Sequence, residues 1–339
     1  MLFEPITIGR TLQLRNRIVL APLYLAMDGR SDAFRAFYLR RAQGGVGLVI
    51  APQSTPGGLD DWADEDVDLG AAFRPLIEGC HAAGSKIALQ MFPGGGAVDE
   101  VSTAQLDAIP ARYARAALGA RDAGFDAIEI HGAHHSLLMR LLSPLQNHRA
   151  DKYGGSAENR WRVQVETVRA IRAAVGRDTP ILYRFSATDF LPGGVDLELT
   201  APFAQALEAA GVDCLHVSAG GLPSGDSAHP GRQMALGCFA DLAAGIRAAV
   251  GTPVIAVGKI ATRDVAESIL AQGQADLVAL GRPLIADPDW PHKLVEGREA
   301  EIVPCLWENA GCLRESISKG KPVRCIQNPE AGLECLPAG

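Results

Sequence analysis

Long apolar runs are missing from this chain of 339 residues: none approaches the ~20 residues that a helix needs to cross a bilayer. The first residues, Met1-Leu2-Phe3-Glu4-Pro5, lack the basic stretch and apolar core of a secretory signal. Basic residues are outnumbered, 32 against 39 acidic ones for a net charge of −7, which argues against general nucleic-acid binding. Cysteine is scarce over most of the length. Cys80, Cys214 and Cys238 lie in apolar or mixed segments and read as buried free thiols. No Gly-x-Gly-x-x-Gly fingerprint follows an early strand, and Gly94-Gly95-Gly96 is only a weak phosphate cue. What these absences leave is a cytoplasmic protein acting on a small molecule, with no role for membrane or nucleic acid.

What is present is repetition. Hydrophobic residues make up 47% of the chain and charged ones 21%, as in an ordinary globular protein. The length allows one large α/β domain or two small ones. Eight short, β-rich apolar runs recur: Ile18–Leu23, Val46–Ala51, Lys86–Met91, Ala127–Ile130, Pro180–Ser186, Cys214–Ser218, Pro253–Val257 and Asp276–Leu280. Most are separated by Ala/Leu/Arg-rich stretches of helical period, such as Glu158–Val175 and Thr200–Ala210, with Gly211 as a left-handed stop after the latter. Strand and helix repeated eight times without a break in composition predict an α/β fold, a closed (β/α)8 TIM barrel. An open doubly wound sheet is the alternative.

A barrel of this kind carries its chemistry at the C-terminal ends of its strands. The unusual residues lie there: Pro22-Leu23-Tyr24, Gln53, Gln90, His131 with His134, Arg184, Ser218 to Gly221, Gly258-Lys259 and Gly281-Arg282. The last two pairs follow the seventh and eighth strands, where backbone amides and a basic side chain commonly hold a phosphate. Two imidazoles three residues apart can donate two hydrogen bonds to one oxygen, polarising a carbonyl. Seen alone, such a pair reads more readily as buried structural histidines. The tract behind it, Leu142-Ser143-Pro144, Asn147, Arg149 and the run from Asp151 to Arg160, is too polar for core and too specific for an arbitrary loop.

That tract resembles the signature of the Old Yellow Enzyme superfamily, in the branch of 2,4-dienoyl-CoA reductase and trimethylamine dehydrogenase. Leu14-Arg15-Asn16-Arg17-Ile18, Gly44-Gly45-Val46-Gly47-Leu48 and Asp276 to Pro283 agree with it, and the likeness runs from Leu2 to about Glu330. The resemblance implies FMN across the barrel mouth, with its phosphate at Gly258-Lys259 and Gly281-Arg282 and its pyrimidine edge on Gln90 and Arg184. An Arg at that edge tunes the redox potential by stabilising the anionic reduced ring. Ala21, Pro22, Leu23, Tyr24, Gln53 and Gly221 are expected to complete the site, with NAD(P)H as reductant. His131 and His134 match the pair that binds a substrate oxygen while hydride reaches the β-carbon from flavin N5.

Three positions depart from the family. Relatives continue His-x-x-His with Gly-Tyr, the Tyr protonating the α-carbon, whereas His135 and Ser136 stand here. Tyr24 occupies a place usually held by a small residue beside the flavin, where it could narrow the pocket or act as a substitute acid. Met91-Phe92-Pro93 follows Gln90 where a His is common. These changes point to an unusual substrate, or to a reaction that needs no protonation at the usual carbon.

Cys305, Cys312, Cys325 and Cys335 crowd into the C-terminal stretch, which suggests metal or redox chemistry. The resemblance implies a [4Fe-4S] cluster there, with Cys305, Cys312 and Cys325 at three of its ligand positions and Glu308 replacing the fourth Cys. A thiolate-held cluster matches a carboxylate poorly, so a degenerate remnant is the competing expectation. Residues 1–300 are expected to form the FMN barrel and 301–339 a cysteine-containing extension packed on it. Longer relatives continue into a second flavin and nicotinamide domain. FMN is therefore expected to be reduced by NAD(P)H at the barrel mouth, by a partner protein or by the substrate, and a homo-oligomer stays open. Three functions compete: an ene-reductase for an activated C=C bond, a flavin-dependent amine dehydrogenase or demethylase, and a flavin-binding subunit with lost catalysis.

Overall fold

Alternate residues of each apolar run sort onto two faces, as the two-residue period of a strand demands. Ile18, Val49, Ile87, Ile128 and Val217 enter the layer between strands and helices. Val19, Leu48, Ala88, Ala127, Leu182 and Cys214 enter a second, separate core. Two cores of this kind are the inside and outside of a barrel.

The computed structural model describes residues 1–53, 69–94, 96–221 and 229–336. After a short hairpin of β1 (Ile6–Ile8) and β2 (Leu12–Leu14), eight parallel strands close on one another. They are β3 (Ile18–Leu20), β4 (Leu48–Pro52), β5 (Lys86–Met91), β6 (Ala127–Gly132), β7 (Ile181–Ser186), β8 (Cys214–Ser218), β9 (Val254–Val257) and β10 (Leu277–Leu280). Strand β10 pairs with β3 and so completes the (β/α)8 TIM barrel. Outside it stand α1 (Asp32–Gln43), α2 (Leu69–Ala82), α3 (Thr103–Ala123), α4 (Leu137–Leu142), α5 (Ala157–Arg160), α6 (Arg162–Val175), α7 (Leu197–Ala210), α8 (Ala240–Arg247), α9 (Arg263–Ala271), α10 (Arg282–Ala286) and α11 (Trp290–Val295). None of the described helices is long and apolar enough to cross a membrane.

The boundaries moved for local reasons. Strand β3 stops at Leu20; the Ala21 amide still donates to Leu280, but Pro22 has no N–H to continue the ladder. Strand β6 runs on to Gly132, so His131 belongs to the sheet. The helix expected over Glu158–Val175 breaks at Trp161, whose ring stacks on Phe203 at 5.8 Å. Helix α7 starts earlier than Thr200, because the Asp196 carboxylate accepts from the Leu199 amide and caps it.

The hairpin was not foreseen, since three-residue strands carry too little alternation to be recognised. Ile8, Leu12 and Leu14 nevertheless join the interior core and close the end of the barrel opposite the strand termini. The C-terminal segment returns to the strand-end face: the Val323 amide donates to Leu25, the Asn328 side chain to Ile285, and Glu334 pairs with the fully buried Arg41 at 2.6 Å.

Candidate active site

Strand parity fixes what faces the barrel mouth. Because Ala88, Ala127, Leu182 and Cys214 point inward, so do Gln90, Glu129 and His131, Arg184, and His216 and Ser218 two and four residues further on. A cavity of about 360 Å³ opens at this end. Ala21, Pro22, Leu23, Tyr24, Gln53, Gln90, His131, His134, Arg184, Gly258, Lys259, Gly281 and Arg282 all line it. Gly221 is the one expected cofactor residue outside that lining; its backbone instead bridges to His134.

The two histidines meet across the cavity wall, ring centroids 5.4 Å apart. His134 takes a left-handed backbone (φ +58), uncommon for a residue with a Cβ. Its amide donates to the Ser186 hydroxyl at 3.1 Å, and that hydroxyl donates to the Gly220 carbonyl at 2.7 Å. Its Nε2 lies 2.9 Å from the Ser218 hydroxyl. A Cβ on Gly221 would stand 2.9 Å from the His134 carbonyl oxygen, so glycine is needed for the close approach. His131 Nδ1 is buried with no hydrogen-bond partner. Burial first, then the Arg184 charge, holds both imidazoles well below their ordinary value, so both are neutral donors at pH 7. Phe92 packs 5.3 Å from His131, and His229 lies 6.1 Å from His134.

Deeper in, Gln90 Nε2 donates to Glu129 at 2.7 Å, and the other Glu129 oxygen lies 2.8 Å from His216 Nδ1. Glu129 and His216 are completely buried. Arg184 stands beside them with its Nε unpartnered.

The opposite side of the mouth is cationic. Lys259 donates to the carbonyls of Gly231, Arg232 and Met234, and Arg282 to the Pro230 carbonyl at 2.8 Å and the Asn309 side chain at 2.7 Å. Gly258 (φ +124) presses on the Phe239 ring, where a Cβ would come within 2.6 Å. Trp307 covers both cations, 5.3 Å from Lys259 Nζ and 4.7 Å from Arg282 Cζ.

The proton-donor position and the C-terminal cysteines lie as follows in the fold. Ser136 does not reach the cavity: it is fully buried, and its hydroxyl accepts from the Met139 amide as the N-cap of α4. His135, the next residue back, does line the cavity. Among the described residues no three His, Cys, Asp or Glu side chains, Cys305, Cys312 and Cys325 included, stand close enough to hold one ion. Glu308 faces Arg232 at 3.2 Å instead. Burial raises the Cys305 and Cys312 thiols, and Arg282 pulls the other way. Sequence reasoning also missed the part of the wall built by Trp307, Leu313, Ile317 and Val323. Nothing in their spacing points across the fold. Glu129 and His216 did carry a signal, a charged or titratable residue at inward parity in an otherwise apolar strand.

Residues 1–111 and 99–301 match the NADH:flavin oxidoreductase / NADH oxidase family. The chain belongs to that family. FMN and NAD(P)H are the cofactors that membership of this NADH:flavin oxidoreductase family implies. It is 39% identical to an NADH oxidase of Thermoanaerobacter brockii, over 98% of this chain and 56% of that one. A solved 2-naphthoyl-CoA reductase superposes with a TM-score of 0.89 at 25% identity, over 99% of this chain and 58% of the other. Histamine dehydrogenase from Rhizobium sp. 4-9 gives 0.84 at 25% identity, over 98% and 53%. The chain therefore spans little more than half the length of each. Its residues fit FMN: the buried, unpartnered Arg184 Nε lies at the cavity, and Gly281 keeps its wall open, where a Cβ would crowd Leu23 at 3.2 Å.

Proposed function

We propose that this barrel transfers hydride between NAD(P)H and an activated C=C bond, in the manner of an ene-reductase. When bound, FMN supplies the two-electron hydride chemistry. Gly258-Lys259 and Gly281-Arg282 would hold its phosphate, Gln90 and Arg184 its pyrimidine edge, and Ala21 to Tyr24 with Gln53 the remaining contacts. The observation that carries the reading is the pair of neutral imidazoles 5.4 Å apart at one cavity wall. Two N–H donors converging on a carbonyl oxygen lower the energy of the enolate-like state formed as the β-carbon is reduced. Their neutrality matters, because each donates a hydrogen bond without delivering its proton to the oxygen.

A second reading, oxidation of an amine, is favoured by one specific feature. Ser136 spends its hydroxyl on the α4 cap, so the family's usual proton-donor position offers no acid to the cavity. Removal of hydride from a carbon next to nitrogen needs no acid there, and histamine dehydrogenase shares the architecture.

The deciding experiment is anaerobic flavin bleaching. The holoprotein is reduced with NADH and with NADPH, then challenged separately with cyclic enones and, in its oxidised form, with methylated amines. Rapid reoxidation by enones supports the reductase; bleaching by amines with no response to enones replaces it with the dehydrogenase.

A further inference from the structure

Below the cavity the barrel interior holds a buried pair of titratable groups. Within the layer that holds Ala88, Leu182 and Ile255, a carboxylate and an imidazole meet: Glu129 and His216, 2.8 Å apart and wholly buried. Neither contributes to the lining of the cavity, yet Glu129 is two residues below His131 on β6 and His216 two residues below Ser218 on β8. Gln90, which does line the cavity, donates to the same carboxylate. A carboxylate–imidazole pair in such a place is a poor source of stability, since desolvation offsets most of its attraction. Its position suggests another role.

We propose that Glu129 and His216 are a proton-accepting pair that balances the negative charge placed on the flavin when it is reduced. Hydride from a reduced nicotinamide brings two electrons and one proton, leaving the cofactor one negative charge richer. The balancing proton comes from solvent and is taken at His216 Nε2, which is buried and has no partner. With Nδ1–H already directed at Glu129, uptake converts a pair of net charge −1 into a neutral ion pair, so no uncompensated charge remains in the barrel.

The surroundings make this uptake conditional on reduction. His216 faces Glu129 and His131 from β6 and Arg184 from β7, with Cys214 below it on its own strand; β9 presents only Ile255. Burial lowers the His216 pKa and Arg184 lowers it further, against the pull of Glu129. A negative charge arriving over Arg184 offsets that repulsion and lets the imidazole charge. The inference rests on flavin occupying the cavity and holds for either direction of hydride transfer.

The test is the midpoint potential of the flavin in the holoprotein between pH 6 and 9. If the pair accompanies flavin protonation, two protons enter per two electrons. The reduction equilibrium should then shift a hundredfold per pH unit, about 59 mV, over part of the range. His216→Leu should halve this to tenfold, about 30 mV per pH unit. The double variant Glu129→Gln with His216→Gln keeps the hydrogen bonds, removes the charges and should show the same halving if the single variant folds poorly. Identical slopes in wild type and both variants would overturn the pairing while leaving the flavin reading intact. Wild-type protein that retains no flavin would overturn both.

Discussion

The indole of Trp307 lies against the guanidinium of Arg282, 4.7 Å from ring centroid to Cζ, so the C-terminal segment covers the cation at the end of the last barrel strand. Arg282→Ala should weaken FMN retention by ~1.5–3 kcal/mol, the range for a charge-assisted hydrogen bond. Trp307→Ala should have a smaller effect, ~0.5–2 kcal/mol, through loss of the cation–π contact. Both are read by equilibrium dialysis of flavin, and unchanged affinity in Arg282→Ala would move the phosphate site elsewhere.

Replacing His131 or His134 by Ala should lower turnover ~10²–10³-fold, the scale of one lost oxyanion donor. Flavin content should stay near stoichiometric, because neither imidazole is proposed to hold the cofactor. Full activity in both variants would make them structural histidines.

Ser136→Ala should reduce stability by ~0.5–2 kcal/mol through loss of the α4 N-cap and leave the chemical step of flavin reoxidation unchanged. Besides His131 and His134, the proton-bearing side chains Tyr24, His135 and His229 border the cavity. Tyr24→Phe, His135→Ala and His229→Ala, compared by stopped-flow with an enone, should separate them: the true donor is the one whose loss slows the step ~10²–10⁴-fold. A slowed step in Ser136→Ala would return that hydroxyl to the mechanism.

Acid should destabilise the fold through the same histidines. Their folded pKa values lie well below the ordinary 6.5, so at neutral pH they are uncharged in both folded and unfolded chains. Below pH 6.5 the unfolded chain takes up protons that the folded one refuses. Stability therefore falls as pH drops through that value, by up to about 1.4 kcal/mol per unit for each histidine. Urea denaturation at pH 7.5 and 5.5 should show the loss, and His131→Ala with His134→Ala should reduce it.

The sequence by itself determined the barrel and the list of groups at its mouth. Eight apolar runs separated by helical stretches satisfy two hydrophobic faces in a closed sheet wrapped by helices, and every strand of it formed where those runs lie. Parity then sends Gln90, His131 and Arg184 inward. What tertiary structure alone decided is which of these groups meet, and which do not. Ser136 and His135 are neighbours in sequence, yet an N-cap turns one into the protein and leaves the other at the cavity. Trp307 reaches Arg282, Glu129 reaches His216, and Glu308 reaches Arg232. Such contacts join residues far apart in the chain, and local propensity carries no information about them; they are set by the closure of the sheet and by how the C-terminal segment folds back over its end.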